Sequence, residues 1–319
     1  MPNAYPSTVT VNVGALSIED VVAVARYGAK VEIAPEALEE VAATRERVEE
    51  LAQDPTPVYG ISTGFGALAR RHIPEEMRAQ LQLSLVRSHA AGTGPEVEEE
   101  VIRALMLLRL STLCTGRTGV RPVVVETYAK ALNAGIVPVV REYGSLGCSG
   151  DLAPLAHCAL ALLGEGEVRV NGELKDASDA LAAAGIEPLQ LREKEGLALI
   201  NGTDGMLGQL CLAITDLRAA AKTADIATAM TVEGLLGTLV VFADDLQQLR
   251  PHPGQADAAA NILQVAEGSQ ILEAALEEFK KNQVQDAYSV RCAPQVAGGF
   301  RDTLAPVSYT HLPAHETKA

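Results

Sequence analysis

Apolar positions recur at helical spacing along most of the chain. Leu38, Val41, Val48 and Leu51 fall on one face of a stretch that opens at Pro35, with Glu and Arg residues on the other. This pattern predicts an amphipathic helix with proline in its first turn and a solvated charged face. Residues 77–89, 101–113 and 123–134 carry the same helical spacing. Ser17, followed three residues later by Asp20, predicts a capped helix start. Two-residue alternation is confined to residues 8–13 and to 168–174, where Asn171-Gly172 predicts a hairpin turn followed by a short helix to Gly185. From 198 to 249, and again from 258 to 281, helix formers run almost without interruption, with Ala on several faces. The pattern therefore predicts a mainly α protein. A mixed, mostly helical domain is expected over 1–190 and the first part of a long-helix bundle over 191–305. Residues 306–319 show neither period and read as a non-native tail, as read-through of a sequencing adapter would produce; Pro313 argues against a helical metal pair of His311 and His315.

Four loops interrupt the helical pattern. Residues 58–66 pack three glycines and several hydroxyls into nine positions, and glycine also punctuates 90–95 and 115–119. The fourth loop reads Gly-Ser-Leu-Gly-Cys-Ser-Gly-Asp-Leu-Ala-Pro-Leu over 144–155. Most such segments are simple turns. Cys148-Ser149-Gly150 has a second possibility, because the amide nitrogen of a third-position glycine can close onto the carbonyl of residue 148. Loss of water from Ser149 then leaves an electrophilic methylene. Glycine suits that bend because it has no Cβ.

Composition narrows the field further. Of the 319 residues, 48% are hydrophobic, which is enough for a sizeable core, but only 3% are aromatic and Trp is absent. A net charge of −15 leaves no basic stripe for phosphates, so no nucleic-acid partner is expected. The five cysteines are widely spaced and lack any Cys-x-x-Cys, so neither a metal site nor a disulfide framework is expected. Cys114, Cys158 and Cys211 read as buried apolar filler. No signal peptide or membrane span is read, and the expected compartment is the cytoplasm.

Five stretches in order carry a resemblance over roughly residues 8–305: 59–66, Ser88-His89-Ala90-Ala91-Gly92, 144–155, Asn201-Gly202-Thr203, and 285–292. They resemble the aromatic amino acid ammonia-lyase family, its histidine-specific branch above all. The resemblance implies an L-aspartase/fumarase-like bundle, an N-terminal domain carrying the loop above, and a homotetramer. It implies elimination of ammonia from L-histidine to give trans-urocanate, the first step of histidine degradation. The implied cofactor is 4-methylidene-imidazol-5-one, self-formed from Cys148, Ser149 and Gly150, with no metal and no nucleotide. The family usually carries Ala where Cys148 stands, but cyclisation uses only the backbone carbonyl of that residue.

The resemblance also assigns roles. Tyr59 and Tyr288 match the two family tyrosines, with Tyr59 ahead as the general base; a tyrosine base needs its pKa brought below about 10. Arg291 matches the clamp for the substrate carboxylate. Asn201 and Gln285 match amides that contact substrate or cofactor oxygen. Ser88 and His89 match the histidine-specific pair, suited to hydrogen-bonding an imidazole. Asp151 is placed to assist dehydration, or to cap the helix beginning near Leu152. Arg117 and Arg121 flank a glycine loop, where structural capping is favoured over anion binding. A tyrosine or phenylalanine ammonia-lyase or 2,3-aminomutase is the alternative within the family. An inactive fragment or helical scaffold is the alternative outside it. Family chains are longer, and the chain as written is expected to be inactive or poorly folded because bundle faces lack partners.

Overall fold

Val9 and Val11 are buried while Thr8 and Thr10 are exposed, and β1 (Thr8–Val11) is the strand this alternation predicts. The computed structural model describes residues 5–147, 150–282 and 284–311. Helix α1 (Ile18–Tyr27) carries the chain across to β2 (Lys30–Ile33), which pairs with β1 in parallel, Val9 opposite Val31. The capping box forms: Asp20 N–H donates to Ser17 Oγ at 3.1 Å and Ser17 N–H donates to the Asp20 carboxylate at 3.0 Å. Asn133 closes the free edge of β2, its side chain accepting from Val31 N and donating to Val31 O, both at 2.8 Å.

By chain contacts the structure divides into two units, Met1–Leu212 and Ala213–Ala319. In the first unit, α2 (Pro35–Gln53) buries Val41 and Val48 as predicted. Its charged face is not wholly solvated, however. Arg45 is buried, donating to Glu193 O at 2.9 Å and to the Glu49 carboxylate at 2.9 Å. Then follow α3 (Glu75–His89), β3 (Thr93–Glu96), α4 (Glu99–Cys114), α5 (Pro122–Asn133), β4 (Ile136–Pro138) and β5 (Arg141–Tyr143). Next come α6 (Leu152–Leu162), the hairpin β6 (Glu167–Val170) and β7 (Glu173–Asp176), α7 (Ala177–Ala183) and α8 (Glu195–Ile200). Strand β3 pairs with β5, and β4, β6 and β7 form an antiparallel sheet. The short strands β3, β4 and β5 have no clear alternation, which is why the pattern does not reveal them.

Helix α4 buries Ile102, Leu105, Met106, Leu107, Leu110 and Leu113 around its whole circumference, so it is the core helix of this unit. Helix α6 is likewise buried on most sides. Burial pushes the thiols of Cys114 and Cys211 up to about 12, and that of Cys158 up as well, so these three are the inert filler expected of them.

The long helical stretch is broken where the pattern predicts continuity. Helix α9 (Asp204–Gly234) is separated from α8 by Asn201-Gly202-Thr203, and it ends in a left-handed Leu236 with Gly237 N–H donating to Val232 O at 2.8 Å. The span Glu195–Gly234 has the length and mean hydropathy, 1.3, to cross a membrane. It is a core segment instead, since it is interrupted and buries Glu195 and Asp204 in ion pairs with Arg121 and Arg109.

The second unit contains a 3-10 turn at Val240–Phe242, α10 (Asp244–Gln247), α11 (Pro253–Val265), α12 (Gln270–Asn282), α13 (Tyr288–Arg291) and α14 (Ala293–His311). Val232, Phe242, Ala259, Ile262, Leu272 and Val290 form its core. Helices α11 and α14 pack backbone to backbone through Gly254 and Gly298: a Cβ on Gly298 would lie 2.7 Å from Gln255 N. Asp225 is buried and accepts from Arg301 and from Asn261. Residues 306–311, expected to lack regular structure, continue α14 past Pro306. An established helix adds residues at little cost, and proline forfeits one hydrogen bond rather than the helix.

Candidate active site

The glycine-rich loop that leads into α6 is built by close backbone approach. A Cβ on Gly144 would lie 2.9 Å from Ala153 Cβ and 3.3 Å from Gly92 Cα, so the start of this loop packs directly against the segment after α3. Gly147 adopts a positive φ of 64°, and Gly150 N–H turns back to donate to Gly147 O at 2.8 Å. Gly150 is buried and a Cβ there would lie 3.1 Å from Leu152 Cγ. Cys148 and Ser149 lie outside the described residues.

Asp151 occupies the N-cap position of α6, but its side chain does not cap that helix. The carboxylate, 1% exposed, accepts from Ser145 Oγ at 2.6 Å and from Met206 N at 3.0 Å, in the first turn of α9. The capping expectation is therefore corrected: Asp151 caps α9. Its own N–H donates to Gly202 O at 2.7 Å, so both ends of Asp151 grip the start of the long helix. The N-terminus of α9 presents free N–H groups and a partial positive charge, which a buried carboxylate satisfies.

The Ser88-His89 pair ends α3. Ser88 Oγ donates to Leu85 O at 3.0 Å, and His89 Nδ1 lies 2.8 Å from the same carbonyl. A carbonyl only accepts, so Nδ1 carries a proton, and in that tautomer Nε2 is the acceptor nitrogen. This turn is tied to α6 by His157, whose Nε2 accepts from Gly92 N at 3.1 Å. Burial, and then the charge of Arg141, lower the pKa of His157 below the ordinary 6.5, which keeps it the neutral acceptor this bond needs.

Tyr59 stands in the first glycine loop, 49% exposed, its ring edge-to-face with Phe65 at a centroid distance of 6.1 Å. The loop is pinned by Ser62, whose Oγ accepts from Val58 N at 2.9 Å, and Gly60 sits against α8 near Leu197. Asn201 ends α8; its carbonyl accepts from Arg109 Nη1 at 3.2 Å and its side chain is exposed. The structure thus brings the Ser88–Gly92 turn and the Gly144–Asp151 loop together, and sets the Tyr59 loop against the helix that carries Asn201.

In the second unit, Tyr288 opens α13 and is 71% exposed. Arg291 Nη1 donates to Gln285 Oε1 at 2.6 Å, so these two are neighbours rather than separate contacts, and the partner of Arg291 is an amide rather than the carboxylate of a surface ion pair. Asp286 accepts from Thr238 N at 2.9 Å and anchors the segment.

Sequence reasoning missed the buried charges behind the loops. Arg109 pairs with Asp204, and Arg121 donates from Nε and Nη2 to Glu195, each at 2.8 Å, which settles Arg121 as structural. A signal was present: an Arg inside the run Leu105-Met106-Leu107-Leu108-Arg109-Leu110 must find a partner if that helix is buried. His157 carried no such signal, because a single His in an apolar helix points to no partner.

The family model for aromatic amino acid lyases matches residues 16–310. A histidine ammonia-lyase of Streptomyces avermitilis is 60% identical over 299 residues, covering 93% of this chain but only 58% of that protein. The chain therefore spans somewhat more than half the length of that relative. Among solved structures, the tyrosine aminomutase of Streptomyces globisporus superposes with a TM-score of 0.88 at 38% identity, covering 97% of this chain and 61% of that one. The histidine ammonia-lyase of Trypanosoma cruzi superposes with a TM-score of 0.83 at 36% identity, covering 96% and 56%. With the model matching nearly its whole length, the chain belongs to the aromatic amino acid lyase family.

Proposed function

We propose that the protein to which this chain belongs eliminates ammonia from L-histidine to give trans-urocanate, as a soluble cytoplasmic homotetramer. The observation that carries the reading is the loop before α6: a glycine-threaded turn with a buried Gly150, followed by a buried carboxylate gripping a helix start. Members of the family depend in general on methylidene-imidazolone, and these residues fit its formation from Cys148-Ser149-Gly150. The chain already folds back at Gly150, and there is little room for any Cβ there. Such a group supplies an electrophile that makes the substrate amine a better leaving group.

The other residues have separable tasks. Arg291 binds the substrate carboxylate; its guanidinium has five N–H donors, of which one goes to Gln285. His89, with Nδ1 committed to Leu85 O, offers Nε2 as the acceptor for an imidazole N–H. Tyr59 takes the β-proton, and Tyr288 is the second candidate for that base. Ser88 holds the end of α3, while Asn201 and Gln285 supply amides toward the substrate or the cofactor oxygen.

The 60% identity to a histidine ammonia-lyase supports histidine as substrate. The 38% identity to a tyrosine aminomutase over nearly the whole chain supports a second reading, isomerisation or deamination of tyrosine. Supplying purified protein with histidine, tyrosine and phenylalanine separates them. Urocanate from histidine alone is expected; coumarate, cinnamate or a β-amino acid in its place would overturn the assignment. Ser149→Ala should abolish turnover and give a chain about 20 Da heavier than the cyclised wild type, the two waters kept (about 36 Da) less the oxygen lost with the hydroxyl (about 16 Da).

A further inference from the structure

Arg109 lies in the middle of α4, 2% exposed among leucines, and its guanidinium spans the break between two other helices. Nη1 donates to Ala198 O at 3.0 Å and to Asn201 O at 3.2 Å, carbonyls at the end of α8. Nη2 donates to the carboxylate of Asp204, the first residue of α9, whose other oxygen accepts from Thr112 Oγ1 at 3.3 Å. The remaining nitrogen, Nε, is buried and has no hydrogen-bond partner among the described residues. The other two nitrogens of this buried guanidinium meet the end of α8 and the start of α9.

The Asn201-Gly202-Thr203 break is shaped by that guanidinium. A Cβ on Gly202 would collide with Arg109 Nη2 and lie 2.5 Å from Asp204 Oδ2, so the position requires glycine although its φ does not. From the break, two contacts reach the catalytic loop: Gly202 O accepts from Asp151 N, and Met206 N donates to Asp151 Oδ2. Asp151 in turn holds Ser145. Gly205 leaves the same space open, since a Cβ there would lie 3.0 Å from Asp151 Oδ2. An unbroken line of polar contacts therefore runs from Arg109 through the break to the loop that carries Gly150.

We propose that Arg109 and Asp204 are a positioning pair for the 144–151 loop: they set the α8–α9 break so that Gly202 O and Met206 N hold Asp151, and with it the loop, in the shape that cyclisation needs. This rests on the proposed self-formed cofactor. A purely structural pair would stabilise the unit without controlling this one loop, and the two roles separate experimentally.

The test compares wild type with Arg109→Lys, which keeps the charge but loses the planar fork. Glu195→Gln serves as control, because it weakens another buried pair in the same unit that does not touch Asp151. Amide hydrogen exchange reads positioning and intact mass reads cyclisation. In Arg109→Lys the amides of Asp151 and Met206 should exchange about tenfold faster or more, with the interior of α6 unchanged, and Glu195→Gln should leave both amides as in wild type. Wild type should be lighter by about 36 Da and Arg109→Lys should be mostly at full mass. Unchanged protection at Asp151 and Met206, or equal loosening in Glu195→Gln, overturns the proposal; so does complete cyclisation in Arg109→Lys. A wild-type chain at full mass overturns the cofactor reading instead, and the exchange comparison alone then decides the positioning. Should Arg109→Lys fail to fold by circular dichroism, Thr112→Val removes the second contact to Asp204, together with a bond to Leu108 O within α4, and is read in the same way, at smaller amplitude.

Discussion

Arg109 and Arg291 are the same residue in opposite surroundings. Around Arg109, hydrogen bonds link the guanidinium to Asp204, and through Gly202 and Met206 to Asp151 and Ser145, backbone positions such as Gly202 exclude a Cβ, and the charged pair is out of water. Around Arg291, the guanidinium has one amide partner among the described residues, Gln285 is exposed, and Tyr288 is open to solvent. In the first region, a change of conformation would strand a buried polar group. The second keeps its donors available because losing one contact leaves them hydrated. The proposed loop positioning thus rests on the buried network, and the groups proposed to bind substrate are drawn from the exposed segment.

The comparison breaks most sharply at its buried end. Arg109→Ala strands the Asp204 carboxylate and is expected to cost about 3–5 kcal/mol by urea unfolding; a loss below about 1 kcal/mol would mean the network is not what holds the α8–α9 break. Gly202→Ala forces the new methyl into the guanidinium and should cost about 1–3 kcal/mol, with Arg109→Ala partly relieving it in the double variant. Simple additivity of the two would show that they do not share this space.

His157 gives an intermediate effect with a defined sign. Its pKa is depressed in the folded chain, so between the ordinary 6.5 and its lower folded value the unfolded chain binds more protons. Stability should be full above pH 6.5, decline as pH falls through that window, and level off once both states are protonated. His157→Gln should flatten this component of the pH profile. A wild-type profile that is already flat there would remove His157 as the neutral acceptor from Gly92. The smallest stability effect belongs to Arg291→Ala, expected to move unfolding by less than about 0.5 kcal/mol while raising the apparent KM for the amino acid substrate. A large stability loss would place Arg291 with Arg109 rather than opposite it.

Much of the fold was legible because each predicted element depends on neighbours in sequence. The Ser17 cap, the Pro35 start, the Asn171-Gly172 turn and the one-sided apolar faces need only local periodicity and backbone preference. The glycine loops were legible in the same way, whereas the candidates Tyr59, Ser88, His89, Asn201, Gln285, Tyr288 and Arg291 were singled out by the resemblance of short motifs to the family. Tertiary structure decided what those motifs lean on. It turned Asp151 from a cap of its own helix into a cap of α9, broke the long helix at Gly202, and carried α14 past Pro306. It also paired residues far apart in sequence: Arg109 with Asp204, Gly92 with His157, Gly144 with Gly92. The sequence by itself determined where helices can form and which residues can do chemistry, since propensity and reactivity belong to the residue and its near neighbours. Which polar groups must meet was settled only by burial, because the requirement to satisfy a buried donor or carboxylate arises once water has been excluded.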